Sequence, residues 1–499
     1  MNKTLIMKEL IVLLTVPFFM FRFQETDAQE VKQLTFNEVI RLAEDQSPNA
    51  LMAKHRFRAS YWQYRTFVAQ YRPYLTLTGS TPDYSTAYSR VWNAVTKQYD
   101  YVSTNILQTI GALSLTQNIG LTGGTLSLQS DLTLENDFEN DRHKYITAPV
   151  SIRLIQPLFR YNELKWEKKT EPLRYDAARK TFLENMEMVH MQAVQNFFSL
   201  ALAQINKQIA EMNYLNADTL WRMAQGRYNL GTIAEDELLQ MQLSWLNSET
   251  SRKQAEMNLR DREIRLRSFL GFNETVRLEL ILPTEIPDLQ VDPQEVLELA
   301  LTNNPEVLTQ QLTLLTAQSN VAQAKAEKGL NANLTASFGL RDQDPVFRQA
   351  YSESNQQQTI RMGISLPILD WGLGKGRYRM AQSSLELAQV QSQQAMVDFE
   401  QNLLLDVEQF NLQSEQVRIA AKSDTVASKM YEVTKARFLI GKITVLELNN
   451  ADTKKDENRR AYVMALQNYW NYYYNIRSLA LYDFINRKPL ETDYEKLIQ

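Results

Sequence analysis

The organisation of this chain is decided by the stretch Phe36-Asn37-Glu38-Val39-Ile40-Arg41-Leu42-Ala43, which runs on to Ser47-Pro48 and has a second copy. The copy is Gln294-Glu295-Val296-Leu297-Glu298-Leu299-Ala300, and it runs on to Asn304-Pro305. The two prolines are 257 positions apart. A pattern that returns in this way, with the same ending, indicates an internal tandem repeat in which each half opens with a helix.

Two further landmarks return at a shorter interval. Gln156-Pro157-Leu158-Phe159 is matched by Leu366-Pro367-Ile368-Leu369, and Arg227-Tyr228-Asn229-Leu230-Gly231 is matched by Arg437-Phe438-Leu439-Ile440-Gly441, both 210 positions later. The first half therefore holds 47 extra residues between its opening helix and its Gln-Pro landmark. This insertion falls within about residues 81–147, and the sequence leaves open whether it adds strands or a loop.

These intervals divide the chain into two structural repeats. We expect the first repeat at residues 29–290, with a helix, strands that include the insertion, and a long helical hairpin over 160–270. We expect the second repeat at 291–499, with a helix, strands over 332–368 and a long helical hairpin over 377–484.

The hairpin regions have the composition of long helices. The whole chain has only 15 Gly and 14 Pro, and the stretch from Arg377 to Lys488 has no Pro and one Gly, Gly441. Apolar residues recur about every 3.5 to 3.6 positions, as in Phe182, Met186, Val189, Ala193 and Phe197, and again in Phe399, Leu403, Val407, Phe410 and Val417. This spacing predicts coiled-coil-like arms, and an arm of about 60 residues reaches about 90 Å at 1.5 Å per residue.

The strand regions show the alternation of a half-buried or membrane-spanning sheet. Apolar and polar residues alternate around Leu126, Leu128, Leu132 and Leu134, and around Ile360, Met362, Ile364 and Leu366. Further candidate strands are Tyr74–Ser80, Ala112–Leu121, Ser151–Gln156 and Asn333–Leu340. The repeat predicts about four matched strands per chain, with an extra hairpin around Thr122-Gly123-Gly124. Four strands cannot close a barrel, so the chain must oligomerise if they span lipid; a soluble sheet on a helical bundle is the alternative.

Composition excludes several classes of function. The formal net charge is −4 with both signs interspersed, so we expect no nucleic-acid partner. The chain has no Cys, which removes disulfides, thiolate metal sites and a lipidated cysteine. Its three histidines have no metal-ligand spacing and no catalytic motif is found, so we expect no enzyme activity, metal or cofactor. Residues 1–28 have the basic start, short apolar run and small-residue end of a signal peptide.

The order, duplication and spacing of these motifs resemble the TolC-like outer-membrane efflux protein family over about Leu34 to Phe484. The motifs are the paired Leu-Ala…Pro openings, the Gln-Pro-Leu-Phe and Leu-Pro-Ile-Leu-Asp-Trp-Gly turns, and the paired Arg-x-x-x-Gly breaks. The resemblance implies an α+β membrane protein: a homotrimer with a 12-stranded outer-membrane β-barrel, continued by a periplasmic α-helical barrel of coiled-coil hairpins. Each protomer would then give four strands.

The resemblance also implies two kinds of site. The hairpin tips would dock a periplasmic adaptor (membrane fusion) protein through Arg227, Leu230, Gly231, Thr232, Arg437, Ile440, Gly441 and Lys442. The pore constriction would be lined by Asp236, Glu447 and Asn450. Each site also has a purely structural interpretation. The glycines can simply permit an interhelical turn, and acidic residues are favoured at any helix N-terminus.

As a function, the resemblance implies the passive exit duct of a tripartite efflux pump or type I secretion system. An inner-membrane transporter of the RND (resistance–nodulation–division) or ABC (ATP-binding cassette) class would drive transport, and the duct would lie in outer-membrane lipid with a periplasmic extension. The alternative is a secreted periplasmic coiled-coil scaffold without a pore.

Overall fold

The computed structural model describes residues 31–272, 276–283, 285–352, 354–440 and 442–498. The predicted signal peptide at 1–28 therefore lies outside the described residues. The helices and strands of the described part are, in chain order, β1 (Val31–Thr35), α1 (Phe36–Gln46), α2 (Pro48–Gln70), β2 (Tyr74–Asn93), β3 (Gln98–Ile119), β4 (Gly124–Asp137), β5 (Arg142–Leu158), α3 (Glu163–Asn229), α4 (Glu235–Leu270), β6 (Arg277–Ile281), α5 (Pro293–Asn303), α6 (Pro305–Glu327), β7 (Asn331–Asp344), α7 (Phe347–Ser352), β8 (Asn355–Ser365), α8 (Leu373–Leu439), α9 (Val445–Ala480), β9 (Tyr482–Asp483), β10 (Lys488–Pro489) and α10 (Tyr494–Ile498).

The helices of the two halves match in length. α1 and α5 have 11 residues each, and α2 and α6 have 23. α3 and α8 have 67 residues each, and α4 and α9 have 36. The internal repeat that the sequence predicts is therefore confirmed. Among the helices of the described residues, none combines the length and the apolar composition that crossing a membrane requires.

The paired Ser-Pro and Asn-Pro motifs are helix junctions. Ser47 ends α1 and its hydroxyl accepts a hydrogen bond from the backbone N–H of Ala50 at 3.1 Å, so it also caps α2. Asn304 does the same for α6, accepting from the N–H of Glu306 at 2.8 Å. Proline suits the first helical position, where its missing N–H would have had no intrahelical partner.

Six of the described strands form one antiparallel sheet in the order β2-β3-β4-β5-β7-β8. The others form two small pairs, β1 with β6 in parallel and β9 with β10 antiparallel. The region of the insertion is largely strand, because it contains the second half of β2, all of β3 and β4, and the start of β5. The extra hairpin that the glycine turn at 122–124 predicts is confirmed, and the sheet has six strands where the resemblance implies four. The described sheet is open at both edges, β2 and β8.

The two faces of the sheet differ in polarity. Leu75, Leu115, Leu128, Ile152 and Phe338 lie opposite one another on five neighbouring strands and form one apolar row. All five side chains are between 40% and 65% exposed in the single chain. The next row, on the other face, is Thr76, Ser114, Gln129, Ser151 and Gly339. An apolar outer face and a polar inner face are the pattern of a transmembrane barrel wall.

The core of the protomer lies where the opening helix crosses the middle of the long helices. Phe36 of α1 packs against Phe197 of α3 with ring centroids 5.4 Å apart, and against Trp470 of α9 at 4.8 Å. Tyr469 is fully buried there and its hydroxyl donates to the carbonyl of Pro287 at 2.7 Å. Tyr473 and Tyr474 are also buried in this core, and each aromatic pair adds about 0.5–1.5 kcal/mol beyond its buried area.

Candidate functional site

The first hairpin tip joins α3 to α4. Gly231 has φ +70°, the left-handed conformation that glycine adopts without steric cost. A Cβ built on Gly231 meets no atom within 4 Å, so the backbone conformation and not crowding favours glycine here. The N–H of Thr232 donates to the carbonyl of Arg227 at 2.9 Å and closes the end of α3. These contacts hold Arg227, Leu230, Gly231 and Thr232 in one turn.

The second tip joins α8 to α9, and one hydrogen bond of its described residues matches the first tip. The N–H of Lys442 donates to the carbonyl of Arg437 at 3.0 Å, which matches the bond between Thr232 and Arg227. Ile440 is the residue that follows α8. Gly441 lies outside the described residues, so its conformation is not part of this comparison.

Both tips present an apolar side chain next to an exposed arginine. Leu230 is 80% exposed and Ile440 is 65% exposed. The two turns lie at the same end of the helices, since Asn213 near the end of α3 donates to Asp456 near the start of α9 at 3.3 Å. Exposed Leu and Ile side chains at the ends of two adjacent hairpins form a surface on which another helix can pack.

Glu447 lies in the first turn of α9, where it closes a capping box. The N–H of Thr444 donates to the Glu447 carboxylate at 2.8 Å, and the N–H of Glu447 donates to the Thr444 hydroxyl at 3.3 Å. Hydrogen bonds from the Thr444 backbone and hydroxyl hold the pKa of Glu447 below its usual value. The charged carboxylate thus has a structural role in the single chain.

The other two residues of the predicted constriction lie near the starts of their helices. Asp236 is exposed in the first turn of α4, between Glu235 and Glu237, and Asn450 is exposed in the second turn of α9. Ala234, the residue that precedes α4, makes no side-chain capping bond. The two tips therefore differ. The first turn of α4 has three carboxylates and no side-chain N-cap, whereas the first turn of α9 has one carboxylate, which is part of a capping box.

A heptad stripe of apolar residues lies uncovered along α8. Its members recur every seven residues and are between 56% and 65% exposed in the single chain: Leu405, Leu412, Ile419, Val426, Val433 and Ile440. Seven-residue spacing is the repeat of a helix that packs along another helix in a coiled coil. The α8 stripe, as we call these six residues, is a long helix-packing surface that no described part of the protomer covers.

The inner face of the sheet carries charge. Glu135 lies on this face, accepts a hydrogen bond from Gln108 at 2.9 Å and pairs with Lys144 at 2.9 Å. Arg153 and Arg361 lie on the same face, on β5 and β8. Charged groups on this side and leucines on the other identify the polar face as the lining of a water-filled lumen.

A buried charged cluster joins α1, α3 and α9, and sequence spacing did not reveal it. The two ring nitrogens of His190 lie 3.3 Å from a carboxylate oxygen of Glu187 and 3.7 Å from one of Glu44. Arg477 pairs with the same Glu187 oxygen at 2.9 Å and with Asp483 at 3.3 Å. Only Glu187 and His190 are neighbours in sequence, so no motif in the chain could have indicated the cluster.

His190 is positively charged at neutral pH in this cluster. Burial opposes the charged form, but the carboxylates of Glu187 and Glu44 outweigh burial and raise the pKa of His190 to about 9. Arg477 acts in the opposite direction because it carries the same charge. The cluster is a set of ion pairs that ties three helices together.

Comparison with known proteins identifies the family. The model of the outer membrane efflux protein family matches residues 39–272 and 296–480. No curated protein matches the chain. Among solved structures, the Campylobacter jejuni CmeC outer membrane channel is similar with a TM-score of 0.66 and 16% identity, covering 93% of this chain and 88% of that one.

Two further channels have the same fold. The outer-membrane channel OprN gives a TM-score of 0.63 at 16% identity, with 89% of each chain covered. The outer membrane protein VceC from Vibrio cholerae gives a TM-score of 0.60 at 14% identity, covering 91% of this chain and 97% of that one. The TM-scores establish the shared fold, and at identities this low the similarity establishes the fold alone.

The chain belongs to the outer membrane efflux protein family, whose model matches most of its length in two segments, one in each repeat. It is an efflux duct of the outer membrane, with the sheet in the membrane and the helices extending into the periplasm. The expected fold class, localisation and duct function are confirmed. Neither the family nor the fold supports the alternative of a scaffold without a pore.

Proposed function

We propose that three copies of this chain form one channel, in which their sheets close a barrel in the outer membrane and their long helices continue the bore through the periplasm. The observation that carries this proposal is the sheet, which has an apolar outer face, a polar inner face and two open edges. Unpaired edge strands in lipid cost several kcal/mol for each unsatisfied group, so the edges need partners from further copies.

The α8 stripe supports the same assembly. Six apolar side chains over about 53 Å of helix, at 1.5 Å per residue, match the length of a coiled-coil interface and not of a small contact. α4 offers a counterpart near the tip, with Leu239, Leu243 and Leu246 also exposed. Packing of α8 of one copy against α4 of the next would remove both surfaces from water.

The exposed hairpin tips at the periplasmic end of the duct suggest which proteins it contacts. We assign the two tips, with Leu230 and Ile440 at their centres, to the docking of a periplasmic adaptor that connects the duct to an inner-membrane RND or ABC transporter. The duct would then supply no energy and no chemistry, as a non-enzymatic part of a tripartite pump or type I secretion system. Exposed apolar side chains beside Arg227 and Arg437 suit the packing of adaptor helices.

We assign the constriction to Asp236, Glu447 and Asn450 at the helix starts beside the tips. In a trimer Asp236 and Glu447 would give rings of carboxylates that attract cations, and Asn450 would add a ring of neutral amides. Glu447 can serve both in its capping box and in such a ring, because its second carboxylate oxygen accepts no bond from Thr444.

The assembly is tested by extracting the mature protein from membranes in detergent. We expect a trimer that is resistant to SDS without heating and conducts ions in planar bilayers. A monomer that stays in the aqueous phase and shows no conductance would overturn the proposal.

The tip assignment is tested in cells that depend on the duct for export. We expect Leu230→Asp with Lys442→Asp to abolish export while trimer yield and conductance stay normal, because both residues belong to the docking surface and neither belongs to the α8 stripe. The matched control is Lys165→Asp, an exposed site at the opposite end of α3. Normal export by the tip variant would refute the assignment.

A further inference from the structure

We infer that the barrel formed by this chain has eighteen strands, in which β8 of one copy pairs with β2 of the next. The inference rests on the proposed trimer and deepens it by specifying the wall of the pore. The sheet of one copy already has six strands, each paired antiparallel with its neighbour, so three copies give eighteen where protomers of four strands give twelve.

The extra hairpin, β3 and β4, belongs to the barrel wall because the turn that joins these two strands is hydrogen-bonded to the ends of helices α2 and α3. The side chain of Gln117 donates to the carbonyl of Tyr71, at the end of α2, at 2.9 Å. The side chain of Asn162, which caps α3, donates to the carbonyls of Gly120 and Leu121, both at 3.1 Å. The turn between β3 and β4 therefore sits between the end of α2 and the start of α3, at the level of the other strand ends.

The turn between β3 and β4 is closely packed against neighbouring side chains. A Cβ on Gly120 would lie 2.6 Å from the ring of Tyr71, and a Cβ on Gly124 would lie 2.5 Å from the side chain of Gln156. The Gln156 side chain can move aside, but a Cβ on Gly124 would also lie 3.0 Å from the backbone carbonyl of Ile155, and one on Gly120 would displace the Tyr71 ring. The turn is therefore packed against its neighbours.

The stagger of the strands gives the register between copies. We call the strand ends nearest the helices the lower ends; they are Tyr74 in β2 and Ser365 in β8. The row of paired residues that starts at Tyr74 crosses the sheet and reaches β8 at Thr359, six residues above Ser365. Its members are Tyr74, Thr116, Ser127, Arg153, Ser337 and Thr359. Strands of a closed barrel are tilted by this kind of stagger. If the lower strand ends lie level around the ring, Ser365 is adjacent to Tyr74 of the next copy.

This register also aligns the faces. Ile364 would lie opposite Leu75 of the next copy, and Met362 opposite Leu77 of the next copy. All four side chains are on the apolar outer face and between 55% and 77% exposed in the single chain. A register shifted by one residue would place this apolar row against the polar row of the neighbour, so the pleat excludes it.

The strand number determines the width of the pore. Strands about 4.8 Å apart and tilted about 40° give a backbone diameter of roughly 36 Å for eighteen strands, against roughly 24 Å for twelve. Barrels of 16–18 strands enclose an aqueous channel. The outer-membrane part of this duct is then wide enough that the helical end, and not the barrel, limits the size of the cargo.

The test uses engineered disulfides, for which the cysteine-free chain gives no background. We expect Leu77→Cys with Met362→Cys, oxidised in isolated outer membranes, to give a ladder of covalent dimers and trimers on denaturing gels. The matched control is Leu128→Cys with Met362→Cys, which puts the first cysteine on the same outer face of β4. The ladder should be at least tenfold stronger for the first pair.

The alternative results are distinct. A ladder from the control pair would mean that β8 meets β4 of the next copy, which gives twelve strands and leaves the trimer intact. Intrachain cross-links alone would mean that the sheet closes on itself, against both proposals. No cross-link in a conducting trimer refutes the eighteen-stranded wall only, and a count of strands in a cryo-EM cross-section of the wild-type trimer decides it independently.

Discussion

The long helices α3 and α8 come from the same position of the two repeats and have the same 67 residues of length, but they lie in different surroundings. α3 packs against α1, α2, α4, α6 and α9, whereas α8 packs against α5, α6 and α9 and leaves the α8 stripe uncovered. Both helices bury one face in the core, as Phe410 of α8 shows, but only α8 leaves a continuous heptad stripe exposed on the side of the protomer.

Residues 210 positions apart show the difference directly. Phe198 of α3 is fully buried, and its counterpart on α8, Glu408, is exposed. His190 of α3 belongs to the buried charged cluster, and its counterpart on α8, Glu400, is half-buried. A matched pair of positions therefore allows each environment to be tested against the other.

The largest effect should come from charging the α8 stripe. We expect Leu412→Asp with Ile419→Asp to abolish the SDS-resistant trimer, because each copy would bury two carboxylates at a cost of several kcal/mol each. Helix content of the monomer in detergent, measured by circular dichroism, should not change. Thr425→Asp adds a charge to α8 outside the stripe and should leave the trimer intact; a normal trimer in the double variant would contradict the interface.

The next effect should come from the core of α3. We expect Phe198→Ala to lower the free energy of unfolding by about 3–5 kcal/mol, because the cavity left in the aromatic core cannot refill. Denaturant unfolding in detergent measures it. Glu408→Ala, the matched change on α8, should alter stability by less than about 0.5 kcal/mol. Equal effects at the two positions would remove the distinction between the helices.

The charged cluster on α3 should make stability depend on pH. The pKa of His190 is raised from 6.5 to about 9 in the folded chain, so its stabilisation is complete below pH 6.5 and is lost as the pH rises through about 9. The loss should amount to about 3 kcal/mol.

Unfolding measured between pH 6 and pH 9.5 tests this dependence. His190→Gln should be less stable than the wild type at pH 6 and should have a flatter profile, because the titrating group is gone. A wild-type profile that stays flat across this window would show that the carboxylates of Glu44 and Glu187 do not hold the proton on His190.

The smallest effects should separate the two tips. Thr444→Ala removes the capping box of α9 and should cost about 1 kcal/mol. Ala234→Thr should stabilise the start of α4 by a similar amount, because Glu237 is already placed to complete a capping box. Hydrogen exchange of the first-turn amides should become roughly fivefold faster in the first variant and slower in the second. Equal exchange in both would contradict the caps.

The sequence predicted those features that depend on neighbouring residues. The Ser47-Pro48 and Asn304-Pro305 junctions were predictable because a cap and a proline act within one turn of helix. The alternation around Leu126 and around Ile360 predicted strands because a pleat has a fixed period of two. The hairpin tips were predictable from the glycine breaks, and their docking role stays a proposal.

Contacts between distant segments were beyond the sequence. The strand length was underpredicted for β3, which begins at Gln98 and not near Ala112, because the polar upper part of this hairpin lacks the apolar alternation of a wall. The charged cluster joins Glu44, His190 and Arg477, which no spacing relates.

The sequence by itself determined the repeat, the long helical hairpins and the two-faced strands, because duplication, capping and side-chain period are local properties of the chain. It did not determine the length of the second arm of each hairpin, which has 36 residues and not about 60. The tertiary structure alone decided that the insertion joins the sheet, and that α8 leaves an apolar stripe exposed whereas α3 is covered by more neighbouring helices. The reason is that burial and pairing depend on which segments meet in space, and two nearly equal repeats cannot both occupy the centre of one protomer.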